Sequence, residues 1–176
     1  MIKQGFAIWI TGLPASGKTA LAEAIMRRLD EWYNMKVVSL ESDSLRKILT
    51  PEPTYSRKER DWFYSVMTYM GQMLTSNGIN VIFDATGNRK AHRDTARSSI
   101  DKFMEVYVKC PLEECIARDP KGLYRMAKEG KASTVPGIQE LFEEPESPEI
   151  ITESNRTSPE DGAEHIIARM KKKGWV

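Results

Sequence analysis

The sequence predicts an α/β fold: a three-layer α/β/α domain on a doubly wound parallel sheet. Three observations point there. Four short apolar runs recur along the 176 residues, each nearly continuous, as strands buried on both faces of a parallel sheet read. Segments of helical period lie between them. Strands alternating with helices are what right-handed crossovers in such a sheet require. The length suits one domain with a sizeable core, and residues 1–176 read as that single unit.

The first run, "FAIWIT" (Phe6–Thr11), is rich in β-branched and aromatic residues. A helix over Lys18–Trp32 follows it after a glycine-rich loop. "KVVSLE" (Lys36–Glu41) is the second strand, and "SLRKIL" a short helix for which Ser42 or Asp43 is the N-cap. "LTPEPTYS" (Leu49–Ser56) carries two prolines and is a loop. The helix Arg57–Ser76 contains "DWFYSVMTYM", whose aromatics at helical spacing belong mainly to the core. "NVIFDA" (Asn80–Ala85) is the third strand, with a helix over Arg89–Phe103. "EVYVKC" (Glu105–Cys110) is the fourth, with a helix over Pro111–Arg118. Proline, glycine and mixed charge then fill Pro120–Ile150. A stretch that long inside a compact domain is a functional loop, so a lid is expected at about residues 118–150. The closing helix, Pro159–Lys173, opens on "SPED" as a cap. Its basic end (Arg169, Lys171, Lys172, Lys173) reads as a solvated last turn favoured by the helix dipole.

Composition narrows the function. Formal net charge is +1, so nothing global argues for a nucleic-acid or membrane partner. No run of about 18 apolar residues is present, so no spanning helix is expected. The N-terminal "MIKQGFAIWITG" lacks the shape of a signal peptide, which suggests a cytoplasmic enzyme. Cys110 and Cys115 have no second pair or nearby histidine, so they read as reduced, partly buried thiols rather than zinc ligands. His92 and His165 have no partner in the sequence pattern and read as surface histidines.

The chemistry concentrates in "GLPASGKT": Gly12, Leu13, Pro14, Ala15, Ser16, Gly17, Lys18 and Thr19. The two glycines let backbone approach a phosphate chain without a Cβ in the way. The loop amides and the following helix N-terminus point at the anion. Lys18 supplies a point charge for the β- and γ-phosphates, and Thr19 a hydroxyl for magnesium. A strand before and a helix after are the context this phosphate loop demands. A nucleoside triphosphate with Mg2+ is therefore expected, on a P-loop NTPase or kinase fold.

Ligands collect at the C-terminal ends of strands in such sheets. "SLESDSLR" delivers Glu41, Asp43 and Arg46 there, acids to orient or deprotonate a hydroxyl and an arginine to grip an anion. Asp84 ends the third strand, placed either to hold magnesium or its water, or to accept a helix-side hydrogen bond. Arg89 and Arg93 reach a substrate or are simply exposed. The lid adds Arg118, Lys121, Arg125 and Lys128, a cationic flap suited to closing over a γ-phosphate and excluding water.

"CIARDPKGLYRMAKEGK" (Cys115–Lys131), "VPGIQELFEEPESPEI" (Val135–Ile150) and "ESDSLR" together resemble the adenylylsulfate kinase family, over nearly the whole chain from Phe6. The resemblance implies ATP-dependent phosphorylation of the ribose 3′-hydroxyl of adenosine 5′-phosphosulfate (APS). It implies Lys18, Thr19 and Arg118 on the ATP side, with Glu41 and Asp43 at the chemistry. Asp43, Arg46, Arg60 and Lys121 would face the small nucleotide acceptor, Gly137 and Ile138 would cover its adenine end, and a homodimer is implied. Three segments depart from the family pattern. Its acid-glycine-acid is Glu41-Ser42-Asp43 here, its asparagine-isoleucine-arginine-arginine after Arg60 is Phe63-Tyr64-Ser65-Val66, and "DATGNRK" replaces a serine-proline-tyrosine-arginine turn. These departures leave open another nucleotide-linked or small-molecule acceptor for the same chemistry. A regulatory ATPase module is the alternative from a different class.

Overall fold

The computed structural model describes residues 3–176. Five parallel strands, β1 (Ala7–Thr11), β2 (Val37–Glu41), β3 (Asn80–Asp84), β4 (Phe103–Lys109) and β5 (Ile150–Glu153), pair in the order β2-β3-β1-β4-β5. Helices α1 (Lys18–Tyr33), α2 (Ser42–Leu49), α3 (Arg57–Ser76), α4 (Lys90–Ser99), α5 (Leu112–Arg118), α6 (Leu123–Lys128) and α7 (Pro159–Lys172) connect and flank them. The expected three-layer doubly wound sheet is what forms.

Strand β1 is buried throughout, and its alternation divides the core. Ile8 and Ile10 join Leu21, Ile25, Ile166 and Met170 on the α1–α7 face. Ala7 and Trp9 join Phe63, Tyr64, Met67 and Phe83 on the α3 face, as the two-residue period of a strand dictates. A third cluster of Cys110, Cys115, Tyr124 and Val135, with Leu13 against it, lies behind the phosphate loop. Both cysteines are buried and free, as expected. Among the described residues no helix is long and apolar enough to cross a membrane.

Four boundaries differ from expectation. The helix expected over Arg89–Phe103 stops at Ser99, because Phe103 and Met104 belong to β4 and pair with Ala7 and Ile8. Ala96, Ile100 and Phe103 share a helical spacing, and that misplaced the boundary. Strand β5 has no counterpart among the four expected strands, starting at the last residue of the expected lid; its four residues "IITE" are only alternately covered, so no continuous apolar run announces them. Helix α6 lies inside the lid and is six residues long. Helix α2 is capped by extended Glu41 rather than Ser42 or Asp43, and its carboxylate accepts from Ser44 Oγ. The chain passes straight from strand to helix there, with no turn residue between.

The cap predicted from "SPED" does form: Ser158 accepts from the Asp161 amide at 3.1 Å. Ser56, in a segment expected only as loop, caps α3 by accepting from the Glu59 amide. His92 and Arg93 are not at the surface. His92 is buried, bonded to Asp61 at 2.8 Å and packed against the tilted Tyr64 ring, and desolvation lowers its pKa. Arg93 pairs with Glu105 at 2.7 Å and donates to the carbonyls of Gly87 and Glu143. Its charge therefore ties the lid's tail to the sheet and faces no substrate. His165 is exposed, as expected.

Gly71 of α3 rests directly on the Phe83 ring, where an added Cβ would lie 2.1 Å from Cζ. Alanine is the better helix former by roughly 1 kcal/mol. Phe83 is locked against Trp9, so the ring has nowhere to retreat. Gly71→Ala is expected to lose about 1–3 kcal/mol of stability by overpacking. Urea unfolding measures it, and an unchanged or raised midpoint contradicts this packing.

Candidate active site

The sheet register assembles the site. Asp84 sits level with Ile10 of β1 and with Glu41 of β2, so two carboxylates flank the start of the phosphate loop. The loop then wraps tightly. A Cβ on Gly12 would lie 2.5 Å from the Val108 carbonyl, so only glycine admits this approach. Ala15 at φ 61° and Gly17 at φ 100° complete the curl into α1. Buried Ser16 Oγ has no partner, an unanswered hydroxyl inside an anion cradle. Tyr124 of α6 is fully buried and donates from its hydroxyl to the Pro14 carbonyl at 3.0 Å, bracing the loop from behind.

Lys18 lies across this cradle, with Nζ 2.8 Å from the Leu13 carbonyl and 3.2 Å from that of Gly12. Burial lowers its pKa, opposed by Asp84 and Asp43. Thr19 Oγ1 donates to Asp84 Oδ2 at 2.6 Å. Burial raises the Asp84 pKa against the pull of Thr19 and Lys18. These two hard oxygens side by side fit a magnesium position that phosphate oxygens complete. No group of three acidic, His or Cys ligands exists among the described residues.

From the loop a cleft of about 1250 Å³ runs past Glu41 and Asp43 to Arg46, Tyr55 and Arg60. Lys121 of the lid reaches across it to the Asp43 carboxylate and lies 3.9 Å from Glu41. The bond to Asp43 raises the Lys121 pKa. Arg46 is buried, 3.2 Å from Glu59, with its guanidinium over Phe63 and Tyr55. Arg60 donates to the carbonyls of Tyr55 and Thr134 at 2.9 and 2.6 Å, and desolvation lowers its pKa. Tyr55 thus stands between two guanidinium groups, at a positive φ of 51°. Arg118 turns to Ser154, donating to its carbonyl at 3.1 Å beside Gly17.

The structure therefore brings Gly12–Thr19, Glu41, Asp43, Arg46, Arg60, Asp84, Arg118 and Lys121 to one cavity region. It leaves others out. Gly137 and Ile138 line a smaller pocket with Leu13, Leu112 and Phe142, not this cleft, because Gly137 packs on Leu13 at the loop's back. Arg125 and Lys128 are exposed and do not line the cleft. Arg89 pairs with Asp61 at 2.7 Å instead. Of Phe63–Val66, only Tyr64 lines the cleft.

Sequence reasoning missed three residues. Tyr55 sat in a segment read only as a loop, although an aromatic between prolines and two downstream basic residues was a usable signal. Tyr124 lay inside the lid. Asn88, almost fully buried, accepts from Arg60 at 3.4 Å and donates to the Leu141 carbonyl at 3.2 Å; nothing in the sequence marks it, since both partners are distant in the chain.

Residues 4–153 match the family model described as adenylylsulphate kinase. A probable adenylyl-sulfate kinase of Pyrococcus abyssi is 40% identical over 173 residues, covering 98% of this chain and 99% of that one. The adenylyl-sulfate kinase of Synechococcus sp. (strain JA-2-3B'a(2-13)) is 34% identical over 176 residues, covering 100% of each. The solved structure of the Mycobacterium tuberculosis APS kinase in complex with AMPPNP and APS is 28% identical, with a TM-score of 0.89 over 96% of this chain and 98% of that one. With the phosphate loop, the flanking acids and the paired arginines in one cleft, the chain belongs to the adenylylsulfate kinase family.

Proposed function

We propose that this chain transfers the γ-phosphoryl group of ATP to the 3′-hydroxyl of APS, giving the 3′-phosphorylated nucleotide and ADP. The observation that carries the reading is a single cleft with a phosphate loop at one end and two buried arginines at the other. Its volume of about 1250 Å³ exceeds the roughly 300–1,000 Å³ of an ordinary small-ligand pocket. It suits two nucleotides end to end.

In this reading the loop amides, Ser16 and Lys18 hold the triphosphate, and Lys18 exchanges its own loop carbonyls for phosphate oxygens. Arg118 adds a cation on the ATP side. Magnesium bound at Thr19, with Asp84 behind that hydroxyl, would supply neutralisation of phosphate charge. Arg46 and Arg60 face the anionic phosphosulfate, and the Tyr55 ring against both guanidinium groups holds them in place. Asp43 orients the 3′-hydroxyl and takes its proton as the bond to phosphorus forms, with Glu41 alongside. Lys121 couples that carboxylate to the lid, so lid position and base orientation move together.

A coupled ADP assay tests the reading. APS should raise ADP release far above the rate without acceptor, and absence of stimulation removes APS as the substrate. Lys18→Ala should abolish turnover. Asp43→Asn should lower kcat by about 10²–10⁴-fold, and an unchanged kcat would move the role to Glu41.

Asp84 carries a cost that function imposes. Its folded pKa is raised, so the folded state holds the proton more tightly and burial of the charged form destabilises the chain above the ordinary carboxylate range. Asp84→Asn should therefore raise the melting temperature near neutral pH without ligands. The difference should shrink as pH falls through the Asp84 pKa and the wild type regains its proton. Magnesium-dependent activity should fall by about 10–100-fold. Lower stability together with full activity contradicts this arrangement.

A further inference from the structure

Helix α3 opens on Ser56-Arg57-Lys58-Glu59, the residue order of a capping box. In such a box the carboxylate returns to the cap residue's own amide. Here the Ser56 amide donates to Thr54 Oγ1 at 3.3 Å instead, and Glu59 reaches past it. Its Oε2 accepts from the Thr54 amide at 2.6 Å and from the Thr54 hydroxyl at 2.7 Å. Its Oε1 accepts from the Tyr55 amide and from Arg46 Nη1, each at 3.2 Å. One carboxylate thus answers four donors. A helix cap needs none of them.

Those donors converge on the arginine end of the cleft. Arg46, Thr54, Tyr55 and Arg60 line it, and Glu59 does not. Tyr55 has left-handed backbone, at φ 51°, which a bulky residue adopts only when its surroundings impose it. Glu59 takes its amide, and the neighbouring Arg60 takes its carbonyl through Nε at 2.9 Å. So held, the ring lies 4.9 Å from the Arg46 guanidinium and 5.5 Å from that of Arg60. Desolvation opposes the Glu59 charge, but the Thr54 and Tyr55 bonds and the Arg46 charge outweigh it, so its pKa is lowered.

Arg46 has little else to fix it. Glu59 is its only ion-pair partner among the described residues, and the Phe63 ring lies 3.9 Å beneath it. Phe63 stands where the family pattern has asparagine, and a phenyl ring has no directional group to set the guanidinium's rotation. A single contact at Nη1 leaves its other N–H groups for an anion. Ser65 and Val66 replace the two arginines of that pattern, which puts more of the acceptor's charge on Arg46 and Arg60. We propose that Glu59 is the positioning residue of the acceptor site. Through Arg46 directly, and through Tyr55 to Arg60, it sets the affinity for the phosphosulfate without touching it. This rests on the reading of APS as the acceptor.

Steady-state kinetics of the full chain, with APS and ATP varied in turn, test the proposal. Glu59→Gln keeps the side-chain shape and removes the charge. It should raise KM for APS by about 10-fold or more, with kcat and KM for ATP within about threefold of wild type. Glu59→Asp, which keeps the charge, should recover part of the loss. In an Arg46→Met background Glu59→Gln should add little, because the two side chains act as one unit. An unchanged KM for APS overturns the proposal, as does an equal rise in KM for ATP or full additivity with Arg46→Met. Rotation of the isotope-labelled Arg46 guanidinium, followed by NMR without any nucleotide, reads the same contact independently of the acceptor. It should be hindered in the wild type and faster in Glu59→Gln. Faster rotation in a protein that APS does not stimulate removes the acceptor reading and supports the positioning role. Equal rotation in both proteins overturns that role whatever the acceptor.

Discussion

Parallel pairing fixes three strand ends at one level of the sheet, and the site depends on that level. β1 ends where the phosphate loop begins, β3 ends in Asp84, and β2 ends in Glu41, with Ile10, Asp84 and Glu41 in register. A slip by one residue would turn Asp84 and Glu41 to the opposite face of the sheet. Continuous burial of β1 and nearly all of β3 leaves no such alternative. The core thus does more than stabilise: it sets how far two carboxylates stand from the donor phosphates.

The second constraint is the anchoring of the lid. Arg60 of α3 holds the Thr134 carbonyl, Asn88 holds the Leu141 carbonyl, and Arg93 holds that of Glu143. Three groups from the α3–α4 side thus fasten the lid at successive points. Its other end reaches the cleft through Lys121 and braces the phosphate loop through Tyr124. Buried guanidinium groups are costly when unpaired, and here each is answered by carbonyl or carboxylate oxygens. The altered segment "DATGNRK" has its physical account in this role: Asn88 and Lys90 contact the lid's tail directly, and the Gly87 carbonyl holds Arg93, which grips the Glu143 carbonyl.

Much of this was legible in the sequence because it is local. Four apolar runs, the Gly12–Thr19 loop and the Ser158 cap each rest on neighbouring residues. Glu41, Asp43 and Asp84 line one cleft because strand ends in a parallel sheet converge. What escaped depends on distant partners. β5 becomes a strand only by pairing with Val106–Lys109. His92 and Arg93 sit on an exposed-looking polar helix, yet Asp61 and Glu105 draw them inward. Gly137 and Ile138 carried a motif whose position was set by packing on Leu13 rather than by the cleft.

In the proposed reading one cavity takes donor and acceptor together, so transfer would be direct and in line, with Asp43 aiming the hydroxyl and no residue of the protein receiving the phosphoryl group. The most direct test is the stereochemistry of transfer from ATP made chiral at its γ-phosphorus with oxygen isotopes and sulfur. Inversion at phosphorus in the 3′-phosphorylated product is the outcome this account predicts. Retention would require two displacements through a phosphorylated side chain, and would contradict it.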